Sequence, residues 1–151
     1  MTALNRVAEE IRACRYCCEQ GLMYHAPRPI LQVGAGAKIA IFSQAPGNIA
    51  HQKGKPFYDP SGVRLRAWMG LDEDTFYDVD TVAIAPMGFC FPGYDINGGD
   101  LPPLRPCAER WRARLMAALP NFELILLVGG YAQKWHLGAR ARKTLTETVV
   151  A

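Results

Sequence analysis

Two groups of residues in this chain have the types and spacing to do chemistry. The first is its five cysteines: Cys14, Cys17 and Cys18 crowd together in CRYCC, Cys90 sits in GFCFPG and Cys107 in LRPCAERW. An odd number of cysteines, in a chain that opens without an export signal, argues against a disulfide framework and for free thiols, thiol catalysis or metal. The second is the stretch FSQAPGNIAHQKGKPFYDPSG, Phe42 to Gly62, with three glycines and three prolines. In its Ala-Pro-Gly turn Pro46 fixes its own φ and Gly47 carries no side chain, so the backbone there is stiff and bare enough for a ligand to approach closely.

The surrounding elements must position these groups. Across Leu4 to Cys18, Leu4, Val7, Ala8 and Ile11 recur at helical spacing and predict a short helix leading into the first cysteines. A loop with Pro27 and Pro29 follows. KIAIFSQ, Lys38 to Gln44, reads as a strand buried on both faces, VDTVAIAP, Val79 to Pro86, as a second buried strand, and FELILLVGG, Phe122 to Gly130, as a third. Between them Val63, Leu65, Trp68, Met69 and Leu71 predict a helix stopping near Gly70, with Asp59 or Ser61 as its cap. Arg105 to Leu119 reads as another helix, and Tyr131 to His136 as the last before one starting near Thr144. Strands alternating with helices describe an α/β sandwich with a mostly parallel sheet, whose ligands bind beyond the carboxyl ends of the strands. All three strands end in unusual chemistry, SQAPG, APMGFC and VGGYAQ, which predicts the site there. The glycines of VGAGAK, Val33 to Lys38, precede their strand and lack the third position of GxGxxG, so they do not form a dinucleotide loop.

Composition sets the outer bounds. A chain of 151 residues, 50% hydrophobic and 21% charged, suits one domain with a real core. No apolar run reaches the ~18 residues of a membrane helix, and acids stand where a signal peptide would be apolar, so the expectation is a cytoplasmic monomer without membrane contact. A net charge of +3 and a pI near 8.7 permit contact with nucleic acid without requiring it.

Ser43 to Phe57, SQAPGNIAHQKGKPF, resembles the first motif of the uracil-DNA glycosylase superfamily, in particular its bacterial and archaeal iron-sulfur branch, where G-E-A-P-G is followed at the same distance by G-x-P-F. YDPSG, Tyr58 to Gly62, is similar to the branch's V-G-x-A-G segment, and LLVGGYAQKWHLG, Leu126 to Gly138, to its A-L-G-x-x-A-x-x-x-L-L-G stretch. The resemblance implies a three-layer α/β/α domain over residues 1–151 that removes uracil or another deaminated base from single-stranded DNA or from a flipped nucleotide. It assigns Gln44 and Ala45 to the catalytic positions and Pro46, Gly47, Asn48 and Phe57 to the base pocket, with Phe57 as the stacking ring. Lys53 and Lys55 flank that loop and are the candidate phosphate contacts. Cys14, Cys17, Cys90 and Cys107 fall on the branch's ligand positions, implying a [4Fe-4S] cluster, with zinc or no metal as the alternatives.

The departures from the family pattern are specific. Gln44 replaces the acid of G-E-A-P-G and cannot act as a carboxylate base. Ala45 stands where another branch has Asp. The Asn that reads the base falls on Pro86, with Asn48 and Asn97 as conceivable substitutes. His-Pro-Ser on a fourth strand is not present by Ala151, so the expectation is a domain one edge strand short. His136 reads as a surface or core-edge residue, His51 as a candidate for the mouth of the site, and His25 carries no signal. Arg110, Arg112 and Arg114 read as a solvated helix face. The competing function is a glycosylase-like module that binds nucleic acid or a nucleobase without cleaving it, which the Gln44 replacement favours.

Overall fold

The computed structural model describes residues 1–151. Strands β1 (Ile39–Phe42), β2 (Val82–Ile84) and β3 (Leu124–Leu127) form one parallel sheet in the order β2-β1-β3. Ile39 pairs with Val82 on one side and Leu124 on the other, and the two registers run on in step. Side chains alternate between the faces, as strand geometry requires. Ala40 and Phe42 enter a core shared with Leu4, Val7 and Ile11 of α1 (Ala3–Arg12) and with Trp111 and Leu115 of α6 (Arg105–Ala118). Ile41, Val82 and Ile84 enter a second core with Phe76 of α5 (Glu73–Phe76), bordered by Leu65 and Met69 of α4 (Pro60–Met69). Helices therefore cover both faces, giving the three-layer α/β/α arrangement.

Three local features bear on function. The first helix ends at Arg12, and a separate turn, α2 (Tyr16–Glu19), follows, leaving Cys14 between the two. The break lets Cys14 Sγ accept a hydrogen bond from Trp111 Nε1 of α6 at 3.4 Å. The long loop after β1 contains a helix of its own, α3 (Asn48–Lys53), closed by Gly54 in the left-handed region. β3 is bonded on one side only and its Leu124 and Ile125 stay 49% and 48% exposed, so it is an open edge, unlike the fully buried β2. The remaining elements are α7 (Gly130–Leu137) and α8 (Leu145–Val150), the latter capped by Thr144. No helix is long and apolar enough to cross a membrane.

The start of α4 is fixed by its sequence. Asp59 Oδ1 accepts the Gly62 N–H at 2.9 Å and the Ser61 hydroxyl at 2.7 Å, Pro60 fills the first turn, and Gly70 at φ 69° stops the helix. Just before it Phe57 adopts φ 57°, a conformation that costs a side-chain-bearing residue of order 1–3 kcal/mol. The surroundings enforce it: Arg66 Nη1 donates to Phe57 O, and the Tyr77 hydroxyl donates to Pro56 O at 2.7 Å. Gly62 passes so close that a β-carbon there would overlap Phe57 O. Gly62→Ala is therefore expected to lose at least ~2 kcal/mol in urea unfolding, well beyond the gain in helix propensity. An unchanged midpoint would contradict this account of the turn.

Candidate active site

The carboxyl ends of the three strands open onto a cavity of about 210 Å³, lined by Ser43 to Gly47, Pro56, Phe57, Asp59, Ser61, Pro86 and Gly129 among others. Two backbone bonds seat its floor: Met87 N–H to Ser43 O at 2.8 Å and Gly88 N–H to Gln44 O at 2.9 Å. They prolong the β1–β2 pairing past the strands and hold the Ala-Pro-Gly turn against the exit of β2. The N–H groups of Ala45 and Gly47 make no backbone hydrogen bond, so they remain as donors beside the cavity. Phe57 lines one wall, its ring edge-on to Phe76 at 6.2 Å, so it belongs to both the pocket and the second core.

Of the residues singled out from sequence, Gln44, Ala45, Pro46, Gly47 and Phe57 meet in this cavity. Gln44 Oε1 lies toward Gly129, within 3.9 Å of where a β-carbon would stand. Asn48 begins α3 behind the turn and does not line the cavity, and Asn97 is in an exposed loop. Lys53 is exposed in the last turn of α3, while the Lys55 ammonium lies 4.8 Å above the Tyr77 ring and 5.4 Å above that of Tyr58. His51 packs edge-on against His25 at 5.1 Å, away from the cavity, with its Nδ1 buried and unpartnered.

Two carboxylates approach the Gly47 turn from other positions. Asp59 caps α4 through Oδ1 alone, and a β-carbon built on Gly47 would lie 3.9 Å from its Oδ2 and 3.6 Å from Oδ2 of Asp100. Asp100 is brought there by a small hairpin in which Tyr94 faces Asp100 and Leu101 N–H bonds Gly93 O at 2.8 Å. Loss of hydration, then repulsion from Asp59 and Asp95, holds its carboxyl above the usual range. Sequence reasoning noticed Asp59 only as a cap and Asp100 not at all. A hint existed for Asp59, which lies two residues after Phe57; the GGD turn offered none.

Behind the cavity lies a correction. Arg112 is not on a solvated face: its exposure is 0%. Nη1 donates to Ala85 O at 2.8 Å and Pro86 O at 2.9 Å, the fork meets His136 Nε2 at 2.8 Å, and the guanidinium lies 4.6 Å from the Phe42 ring centroid. Helical periodicity explains the burial, since residue 112 shares a stripe with Trp111 and Leu115. His136 stacks on Phe42 at 4.6 Å and accepts from Arg112, so it is the core-edge residue its helix suggested.

The cysteines form a separate feature. Cys14, Cys17, Cys90 and Cys107 line one narrow, largely apolar cavity of about 20 Å³, together with Arg15, Arg110 and Trp111. Burial, followed by the neighbouring thiols for Cys90, pushes Cys90 and Cys107 up to about 12. Phe89 N–H donates to Cys107 Sγ at 3.3 Å. No three His, Cys, Asp or Glu side chains are close enough to hold a metal ion between them, so the sulfurs face a shared space instead of a common point. Cys18 does not line it.

The loop, the strand-end cavity and the sheet order together define an α/β domain with its candidate site at the carboxyl ends of the strands. The model of the Uracil DNA glycosylase superfamily matches residues 31–150, and the chain belongs to that superfamily. Cys90 and Cys107 lie inside the matched span and Cys14 and Cys17 before it.

Burial and the adjacent Arg112 charge push His136 down to about 4 from an ordinary 6.5. The unfolded chain therefore binds the extra proton first, and this residue's contribution to stability is expected to fall as pH drops from about 6.5 to about 4. Urea midpoints measured across that window should fall more for wild type than for His136→Asn. Parallel curves would contradict the buried, neutral imidazole.

Proposed function

We propose that this protein is a DNA glycosylase that hydrolyses the N-glycosidic bond of uracil or another deaminated base, acting as a monomer on single-stranded DNA or a flipped nucleotide. The observation that carries the reading is the Asp59 carboxylate in the strand-end cavity, one oxygen bound to the helix start and the other directed at the Gly47 turn. The base enters between Phe57 and the Ala45–Gly47 turn, where free N–H groups meet its carbonyls. The bond from the sugar C1′ to the base nitrogen breaks, and its electron pair leaves with the base as an anion. Water adds to C1′ from the opposite side, giving its hydroxide to the sugar and its proton, through Asp59, to the departing base. Gln44 positions that water by donating and accepting hydrogen bonds. Asp100, close to the same turn, is the second carboxylate, and the upward shift of its pKa lets it hold a proton more readily than an ordinary carboxylate. Lys53 is the candidate for a phosphate contact.

The test counts free base released from uracil- and hypoxanthine-containing oligonucleotides with enzyme in excess. Asn caps helices as well as Asp does, so Asp59→Asn should fold normally yet lose ~10²–10⁴ in rate. Wild-type protein that binds DNA tightly but releases neither base would instead establish the binding module, the reading favoured by Gln44 and Pro86 in place of the family's acid and Asn.

The residues around the cysteine cavity suit a [4Fe-4S] cluster of the iron-sulfur branch better than a lone zinc: four thiols share an apolar space, and two of their sulfurs already accept N–H donors. Cys14, Cys17, Cys90 and Cys107 would hold it, and its bound form supplies a cross-link between the N-terminal helices, the β2 exit and α6. Anaerobically purified protein should be brown, absorb broadly near ~400 nm and contain iron, with Cys107→Ser losing the iron. Metal-free wild type prepared with iron and sulfide present would overturn this.

A further inference from the structure

Resting on the glycosylase reading, we infer that Arg112 is a positioning residue for catalysis: its buried guanidinium, unpaired with any carboxylate, holds the carbonyls of Ala85 and Pro86 behind the cavity and makes that wall favourable to an anionic base. The ion pairs in the structure are Arg105–Glu109 and Arg114–Glu10, both exposed, so neither touches this group. Its hydrogen-bond acceptors are neutral: two backbone carbonyls and the imidazole of His136. The other titratable group acting on it is Cys107 of its own helix.

A fully buried cation without a counter-ion is expensive, and a tie between strand and helix alone does not require one. The strand ends would otherwise turn carbonyl oxygens, the negative ends of their dipoles, toward the base. Pro86 lines the cavity and its oxygen is 2.9 Å from Arg112 Nη1, which places the positive charge one residue behind the pocket wall. Glycosidic cleavage generates negative charge on the departing base, and a preorganised charge in a water-excluded site stabilises it without reorganisation.

The experiment compares wild type, Arg112→Met, Arg112→Lys and His136→Glu, each with its melting curve and iron content measured. His136→Glu leaves the arginine in place but gives it a carboxylate partner, so it tests the charge even if Arg112→Met does not fold. Single-turnover release is followed for uracil and for 5-fluorouracil, a more acidic leaving base. Loss of stabilising charge should slow uracil release on the order of 10- to 100-fold in Arg112→Met and His136→Glu, with a clearly smaller loss for 5-fluorouracil and substantial retention in Arg112→Lys. Equal losses for both bases would mean a purely structural role and overturn the inference. A second readout is the binding of free 5-fluorouracil as pH rises through its ionisation. Tighter binding of the anion by wild type, lost in His136→Glu, supports the charge even if wild type releases no base, in which case the glycosylase reading alone fails. Wild-type binding that does not favour the anion overturns the inference itself.

Discussion

The guanidinium of Arg112 is the constraint on which the pocket depends. It joins α6 to the exit of β2 through two carbonyls, to α7 through His136 and to β1 through the face of Phe42. Arginine's rigid fork can satisfy two carbonyls and an imidazole from one planar group, which neither lysine nor an amide can do. Burial lowers its affinity for a proton only to about 10, so it stays charged at neutral pH. Hydrogen bonds to a charged group are worth ~1.5–3 kcal/mol each, so three good acceptors can offset much of the several kcal/mol of lost hydration. The rear wall of the cavity is consequently held by a buried, fully partnered group.

The front wall is held by strain instead. Phe57 occupies a backbone region that its side chain disfavours, and Arg66, Tyr77 and the bare α-carbon of Gly62 keep it there. Strain of this kind persists where the neighbours over-determine it, and it is characteristic of ligand sites. Its effect here is to turn the chain sharply between Pro56 and the cap of α4, so that ring and carboxylate, Phe57 and Asp59, enter the same cavity from residues two apart. The cavity thereby contains an acid next to the loop that carries Gln44. Asp59 serves both purposes because a carboxylate has two oxygens and a helix cap uses one.

The alternation of apolar runs with helical spacing made the layers legible, because burial on a sheet or helix imposes a period that the sequence must carry. The Ala-Pro-Gly turn and Phe57 were legible for the same kind of reason: their backbone demands restrict residue type. What could not be read was which polar groups converge. Asp100 reaches the turn only because a hairpin forms far along the chain, and Asn48, inside the motif, does not line the cavity although Ala50 of the same helix does. Arg112 is an intermediate case. Its position in the stripe with Trp111 and Leu115 was visible, but charge was allowed to outweigh periodicity. β3 shows the converse, since its run of Leu and Ile looks like an interior strand although half of it lies exposed at the sheet edge.

The cysteine cavity and the strand-end cavity are not independent. Cys107 lies in the first turn of α6 and Arg112 five residues later, ~7.5 Å along the helix axis at 1.5 Å per residue. The same segment after β2 receives both ends: Ala85 and Pro86 accept from Arg112, while Phe89 donates to Cys107. Helix α6 is thereby clamped to the β2 exit at two points, one polar and charged, the other sulfur. Shifting the helix along its axis would break both. A group that draws Cys107 toward Cys14, Cys17 and Cys90 would fix the axial position of α6, and with it the guanidinium behind Pro86. Cys107 is thus coupled to the rear wall of the cavity by geometry alone, because the helix that carries it also carries the guanidinium bonded to Pro86 O.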